Sequence, residues 1–388
     1  MSEQTHIMAD QAYAERNTRY LDEAKTVVIK VGSAILVNHD QSCVNAEWLA
    51  HLAKDIAALQ AKGTRVVVVS SGAIALGQRQ LNAKAGRLKL EEKQAAAAIG
   101  QVHLAREWTQ ALGQHDLNTA QILLSPDDTE QRRRHLNARA TLTTLMDNAV
   151  IPVVNENDTV ATLEIRYGDN DRLAARVAQM VSADVLILLS DIDGLYTQDP
   201  RSHQEAGHID EVDHIDDDLR AMAGPANKDF ASGGMVTKIE AARIATQAGC
   251  HMVICNGVIP SPINAMINGA RTTWFTAREN PPQARKMWIA AGLNTVGTLI
   301  LDDGAIRALQ SGKSLLAAGI TRVDGHFDRG DLVAVAFKDG TVAGRGIVNY
   351  NAADAEKIAG CNSREIQHIL GYDGRDEVIH ADDLVMMD

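Results

Sequence analysis

The stretch Thr26 to Ile35, TVVIKVGSAI, constrains this chain more than any other. Val27, Val28, Ile29 and Val31 run without polar alternation, the pattern of a strand covered on both faces in a parallel sheet. Lys30 interrupts it. An ammonium group inside such a strand loses hydration that the interior restores only with an anion or a carboxylate. Gly32 follows directly and lets backbone N–H groups approach a ligand, and the helix start at Ser33 offers N–H groups that suit phosphate. An edge strand whose lysine reaches back to water fits the same residues, so the stretch alone leaves both readings open.

The pattern recurs along the chain. Asn45 reads as the cap of a helix whose Trp48, Leu49, Leu52, Ile56 and Leu59 share one face and which closes at Gly63. Arg65 to Gly77, RVVVVSSGAIALG, is a second buried strand ending in Ser70-Ser71-Gly72. Strand, helix and strand make a parallel βαβ unit, and such sheets take ligands beyond the carboxyl ends of their strands. Both small-residue turns therefore belong to one rim. A helix of high alanine content is predicted over 89–113, and Arg132-Arg133-Arg134 reads as a solvated helix face. Val150 to Val160, VIPVVNENDTV, is a third buried strand that spills into Asn155, Glu156, Asn157 and Asp158, residues that suit a plain turn or a polar pocket on the same rim. Gly168-Asp169-Asn170-Asp171 opens a helix, where the helix dipole alone would favour the acids.

Val185 to Arg201, VLILLSDIDGLYTQDPR, supplies the fourth strand, and the acidic segment Asp210 to Asp218 after it is expected to be exposed. Ser232 to Lys238, SGGMVTK, leads into a helix as a second pairing of glycines with a lysine, without the strand–GxxxxGK[ST]–helix order of a P-loop. HMVICNG, 251–257, reads as the last core strand. ENPPQ, Glu279 to Gln283, signals a linker, and the short strands with glycine turns beyond it predict a small β-rich domain. The expected division is an N-terminal extension over 1–24, a first domain over 25–277, a linker over 278–294 and a second domain over 295–388.

With 388 residues, two domains are expected. A hydrophobic content of 45% and a charged content of 23% are those of a soluble globular protein. A net charge of −12 argues against a general nucleic-acid or anionic-membrane binder. Cys43, Cys250, Cys255 and Cys361 show no C-x-x-C spacing, as expected of reduced thiols in the cytoplasm, and no histidine pattern predicts a metal site. No apolar run reaches the ~20 residues of a membrane span. Residues 1–24 are polar and mixed in charge, and are expected to be loosely ordered.

Two lysines beside glycine loops and an acid–amide cluster thus meet on one rim. A phosphoryl donor needs such a set: N–H cradles, two cations, and a carboxylate that holds the cations in place. A carboxylate acceptor would need no general base, since a Glu side chain, with a pKa of about 4.3, is already ionised at neutral pH.

VVIKVGSAIL, VVVVSSGAIALG, NENDTV, GDNDRLAA, SDIDGLYTQDPR and SGGMVTKIEAA, in this order, resemble the amino acid kinase family and specifically its glutamate-phosphorylating members. GAIRALQSGKSLLAAGI, VDGHFDRGDLVAV, GRGIVNY, EIQHILGY and VIHADDLV are similar to the PUA domain that follows in those enzymes. The resemblance runs from about Thr26 to the end. It implies an α/β fold, a three-layer αβα sandwich on a mostly parallel sheet with a small β-rich PUA-like C-terminal domain. The implied reaction is ATP-dependent phosphorylation of the L-glutamate side-chain carboxylate to L-glutamyl 5-phosphate, the first step of proline biosynthesis.

Residue by residue, the resemblance implies that Lys30 and Lys238 neutralise the transferring group and that Asp171 orients both. Gly32, Ser33, Ser190, Asp191 and the loop Ser232, Gly233, Gly234, Met235, Val236, Thr237 and Lys238 would hold ATP with Lys30. Ser70, Asp158 and Asn170 would bind glutamate. Mg²⁺ would bridge the ATP oxygens, largely through water and phosphate, with no protein metal site. Feedback inhibition by L-proline, a homo-oligomer (dimer or tetramer), contact with the glutamyl phosphate reductase and a cytoplasmic location are also implied. The chain departs from the family at Phe230-Ala231-Ser232, where Gly-Thr is usual before the glycine pair, at Ser190, where threonine is usual, and in its longer leader.

Other kinases of this fold, acting on acetylglutamate, aspartate or UMP, are the nearest rivals, but they lack the PUA-like tail, and NEND followed by GDND points to glutamate. An RNA-binding role for the tail is the rival from another class. From Thr295 onward nine Lys and Arg face fifteen Asp and Glu, a net of 9 − 15 = −6, which is no basic footprint. An amino-acid sensor without catalysis would not need Lys30, Lys238 and Asp171.

Overall fold

The computed structural model describes residues 3–38, 43–81, 88–160, 170–203, 205–217, 219, 234–291 and 295–387. It forms two compact units, Met1–Pro281 and Pro282–Asp388. In the first unit the main strands are β1 (Thr26–Val31), β2 (Arg65–Ser70), β3 (Thr119–Leu124), β4 (Ile151–Glu156), β5 (Val185–Ser190), β6 (Glu211–Val212), β7 (His251–Asn256) and β8 (Thr272–Phe275). They make one eight-stranded sheet in the order β6-β8-β7-β5-β1-β2-β4-β3. All neighbours pair in parallel except β7 with β8.

The helices are α1 (Glu3–Glu23), α2 (Ala46–Ala61), α3 (Ala73–Gln78), α4 (Leu90–Gly113), α5 (Arg132–Asp147), α6 (Asn170–Val181), α7 (Met235–Gln247) and α8 (Pro262–Ile267). Strand alternation splits the core in two. Val27, Ile29, Val31, Val66 and Val68 pack with Trp48, Leu52, Leu104 and Trp108 of α2 and α4 on one face. Val28, Val67 and Val69 pack with residues of α5, α6 and α7 on the other. These are the expected three layers. Lys30 shares the parity of Val28, so its side chain belongs to the face covered by α6 and α7.

Asn45 caps α2, accepting from the Trp48 N–H at 3.3 Å as its position in the sequence predicts. Helices α3 and α4 approach closely for a plain steric reason. A Cβ on Gly77 would lie 1.9 Å from the Ala96 carbonyl oxygen, and one on Gly100 would lie 1.8 Å from that of Ala73. Gly72, at φ +114°, turns the chain from β2 into α3 in a region that favours glycine.

Three expectations need correction. The leader, expected to be loosely ordered, is helix α1 and is tied down in its second half. Asn17 is buried; its Nδ2 donates to the Met266 carbonyl (2.7 Å), and its Oδ1 accepts from Thr272 Oγ1 (2.9 Å) and the Trp274 indole N–H (2.7 Å). Tyr20 packs on the Trp274 and His251 rings at 4.4 and 4.8 Å. A few anchors in a polar sequence leave too weak a periodicity to be read. Next, His251–Asn256 is not the last strand of its sheet: β8 follows it. Strands β3, β6 and β8 were all missed, β3 because it is a half-exposed edge and the others because they are short. The acidic segment is exposed as expected at Asp210, Glu211, Asp213, Asp216 and Asp217, with Tyr13 and Arg16 of α1 binding Asp210. Finally, helix α9 (Pro281–Ala291) stands where a linker was expected; proline suits a first helical turn as well as a linker.

The second unit has its own core, centred on Leu299, Leu301, Val333, Val335, Val348 and Ile379. Its strands β9 (Gly297–Leu301), β10 (Ile320–Gly325), β11 (Leu332–Ala336), β12 (Val342–Ile347) and β13 (Leu384–Met386) form a sheet in the order β10-β9-β11-β12-β13. No helix among the described residues is long and apolar enough to cross a membrane. The α3–α4 crossing gives a direct test of the packing: Gly100→Ala should destabilise the protein at or above the ~1–3 kcal/mol typical of overpacking, read as a lowered midpoint in urea unfolding.

Candidate active site

The sheet order places a switch point at β1. The chain leaves β1 toward β2, β4 and β3 on one side, then crosses to β5 and β7 on the other. Crevices at the carboxyl ends of strands beside such a point are where open α/β sheets bind ligands. Lys30 lies near the end of β1 and Ser190 ends β5, its neighbour in the sheet.

Asp171 in the first turn of α6 is fully buried, and Lys30 and Lys238 are only 7% and 5% exposed. Lys30 Nζ is 2.5 Å from Asp171 Oδ1, and Lys238 Nζ is 3.0 Å from Oδ2. One carboxylate thus bridges two ammonium groups brought from opposite parts of the chain. Burial by itself would push the Asp171 carboxyl up; the charges of Lys30 and Lys238 and their hydrogen bonds outweigh that and hold it below the ordinary carboxylate range. Thr237 Oγ1 adds a donor, 3.3 Å from Asp171 Oδ2 and 2.7 Å from the Gly234 carbonyl.

The rim beside Asp171 toward β2 and β4 is built on amides. Asn170, next to Asp171, donates from Nδ2 to Ser71 Oγ (2.7 Å), Asn155 Oδ1 (3.0 Å) and the Ser70 carbonyl (3.2 Å). The Ser70 hydroxyl faces the α2–α4 side and accepts the Trp108 indole N–H at 2.9 Å. Ser70 therefore meets the Asn170 side of the sheet through its backbone. Asp158 lies in the turn after β4, half-buried. Asn155, Ser71 and Gln101 join this cluster without having been singled out as site residues. The amide run of NEND pointed to Asn155, whereas nothing in the alanine-rich α4 marks Gln101.

On the other side of Lys30, Ser190 is buried and its Oγ donates to Asp191 Oδ1 at 3.2 Å. Arg201 binds Asp191 Oδ2 at 2.7 Å; against the opposing effect of its partial burial, that guanidinium holds the Asp191 carboxyl below its usual range. Gly32 caps the helical turn Ser33–Leu36, and a Cβ there would be 3.6 Å from Lys30 Nζ, so this backbone runs beside the ammonium group. Gly234 caps α7, whose first residues are Met235, Val236, Thr237 and Lys238. Ser232 and Gly233 lie outside the described residues, as do Gly168 and Asp169.

A family model described as "Amino acid kinase family" matches residues 25–256, and one described as "PUA domain" matches 297–370. The chain is 56% identical over 366 residues to a protein named glutamate 5-kinase from Bradyrhizobium sp., covering 94% of this chain and 97% of the relative. It is 55% identical to the protein of the same name from Paramagnetospirillum magneticum, covering 94% and 99%. Among solved structures, a carbamate kinase from Giardia lamblia is similar at 18% identity and a TM-score of 0.47, over 66% of this chain and 99% of that one.

Removing the bridging carboxylate leaves two buried like charges facing each other. Asp171→Ala should cost about 3–5 kcal/mol in urea unfolding. Replacing all three groups together by Lys30→Met, Asp171→Leu and Lys238→Met should recover most of that stability and show no turnover.

Proposed function

Because the chain belongs to the amino acid kinase family, we propose that it transfers the terminal phosphoryl group of ATP to the side-chain carboxylate of L-glutamate, giving L-glutamyl 5-phosphate at the start of proline biosynthesis. The observation that carries this reading is the Lys30–Asp171–Lys238 bridge at a topological switch point, in a chain whose relatives bear that name.

In this reading a carboxylate oxygen of glutamate attacks the γ-phosphorus in line. The bond from that phosphorus to the bridging oxygen breaks, and ADP leaves with the electron pair. No proton has to move, because the acceptor is ionised at neutral pH. The protein's task is positioning and charge neutralisation, the main resources in phosphoryl transfer. Lys30 and Lys238 meet the charge that spreads over the transferring oxygens, and Asp171 stops the two ammonium groups from drifting apart. The backbone at Gly32 and Ser33 and the start of α7 offer N–H donors to the phosphates. Ser190 and Asp191 flank the nucleotide.

Asp158 and Asn170 bind glutamate through its ammonium group. Among the described residues no group of three or more His, Cys, Asp or Glu is placed to hold a metal ion. Mg²⁺ fits this site as an ion carried by phosphate oxygens and water, supplying further charge neutralisation. Proline carries the same α-carboxylate beside a charged nitrogen, and in this reading it inhibits by occupying the glutamate pocket.

The test is ADP release with glutamate, acetylglutamate, aspartate and UMP as acceptors, with hydroxylamine present to trap an acyl phosphate. Glutamate alone should give the hydroxamate; release only with UMP would overturn the reading. Lys30→Ala should lower kcat by about 10²-fold or more, the scale of a lost transition-state contact, with glutamate binding little changed. Asp158→Ala should chiefly raise the glutamate KM.

A further inference from the structure

Three primary amides from three elements form a chain behind the rim: Gln101 of α4, Asn155 at the end of β4 and Asn170 at the start of α6, exposed by 8%, 3% and 9%. A primary amide is nearly symmetric in shape and opposite in chemistry at its two ends, so its neighbours decide which end faces where. Here groups that cannot reverse make the decision. The Glu156 backbone N–H only donates, and it lies 2.8 Å from Asn155 Oδ1. Asn155 Nδ2 must therefore face Gln101, and it donates to Gln101 Oε1 at 2.8 Å. The Ser70 carbonyl only accepts, and it takes Asn170 Nδ2 at 3.2 Å, while Asn155 Oδ1 takes the same nitrogen at 3.0 Å. Every side-chain hydrogen bond that Asn170 makes to a described residue leaves from Nδ2. Its Oδ1 is the end turned away from the network.

We propose that Gln101 is a positioning residue for acceptor selection: by holding Asn155, it fixes Asn170 with its oxygen toward the pocket, so that the site takes acceptors bearing an ammonium group. The inference rests on the reading of Asn170 as a contact to the amino acid. An asparagine free to turn could offer N–H₂ to a carboxylate as readily as oxygen to an ammonium. The amide chain removes that choice. Without the Gln101 acceptor, Asn155 Nδ2 would be buried and unsatisfied, and rotating to find another acceptor would draw Oδ1 away from Asn170.

Gln101→Met keeps the length and apolar volume and removes the acceptor; Gln101→Glu keeps an oxygen in its place. Steady-state kinetics of the full chain with glutamate and with glutarate, which lacks the ammonium group, read the effect. In Gln101→Met the ratio of kcat/KM for glutamate over glutarate should fall about 10-fold, through the glutamate KM, with the ATP KM unchanged. Gln101→Glu should recover most of the ratio. An unchanged ratio, or glutamate, glutarate and ATP constants rising together with a lowered Tm, would overturn the proposal.

The relay is also read without turnover, from the side-chain amide resonances of ¹⁵N-asparagine-labelled protein. The Asn155 and Asn170 pairs should both shift in Gln101→Met; if the Asn170 pair stays in place, there is no relay. A wild type inactive on glutamate would remove the reading of the preceding subsection, while these resonances still decide the role of Gln101.

Discussion

A single carboxylate that holds two buried ammonium groups is the constraint on which the rest of this structure turns. Neither ammonium group could be buried in its place without an acid beside it, because burying an isolated charge costs more than packing returns. The sheet must therefore end β1 at the position that brings Lys30 under α6, and α7 must start where Lys238 reaches the same acid. The apolar residues of the two core faces supply the driving force, and the ion cluster dictates how the elements close at the carboxyl rim.

The rim is divided by the side chains beside that cluster. Toward β2 and β4 the groups are amides, hydroxyls and an acid, suited to a small zwitterion. Toward β5 and α7 they are helix-start N–H groups, Ser190 and Asp191, suited to phosphates and their nucleoside. Asn170 and Asp171 are adjacent in sequence and serve the two halves separately, since successive residues in a first helical turn point in different directions. The Lys30–Asp171–Lys238 cluster lies where the two halves meet.

Support for the amide half comes from farther back. Trp108 and Gln101 on α4 reach through the sheet's end to Ser70 and Asn155, and α4 can come so near α3 only because Gly77 and Gly100 lack side chains. A steric detail of helix packing thus determines where two hydrogen-bonding groups stand. The N-terminal helix works similarly at the far edge, where Asn17 satisfies Trp274 and Thr272 beneath it.

Much of this was legible in the residues themselves. A lysine in an otherwise apolar strand is a local anomaly, the glycines before Lys238 are a local signal, and the five principal strands announce themselves by short apolar runs. Local chemistry along the chain was enough for parallel βαβ units, for the rim, and for Lys30 and Lys238 beside their glycines; the three layers and most other candidate residues came with the family resemblance. Which charges meet was not decided by the local chemistry. Asp171 also reads as an ordinary acid in a first helical turn, and its partner Lys238 stands 67 residues away. Gln101 is hidden in an alanine-rich helix, α1 carries its anchors in a polar sequence, β3 is half-exposed, and β8 is only four residues long. Periodicity and turn chemistry act between near neighbours, so a sequence can state them; the pairing of buried charges and the direction of a buried amide depend on what the fold places opposite, and only the tertiary structure supplies that.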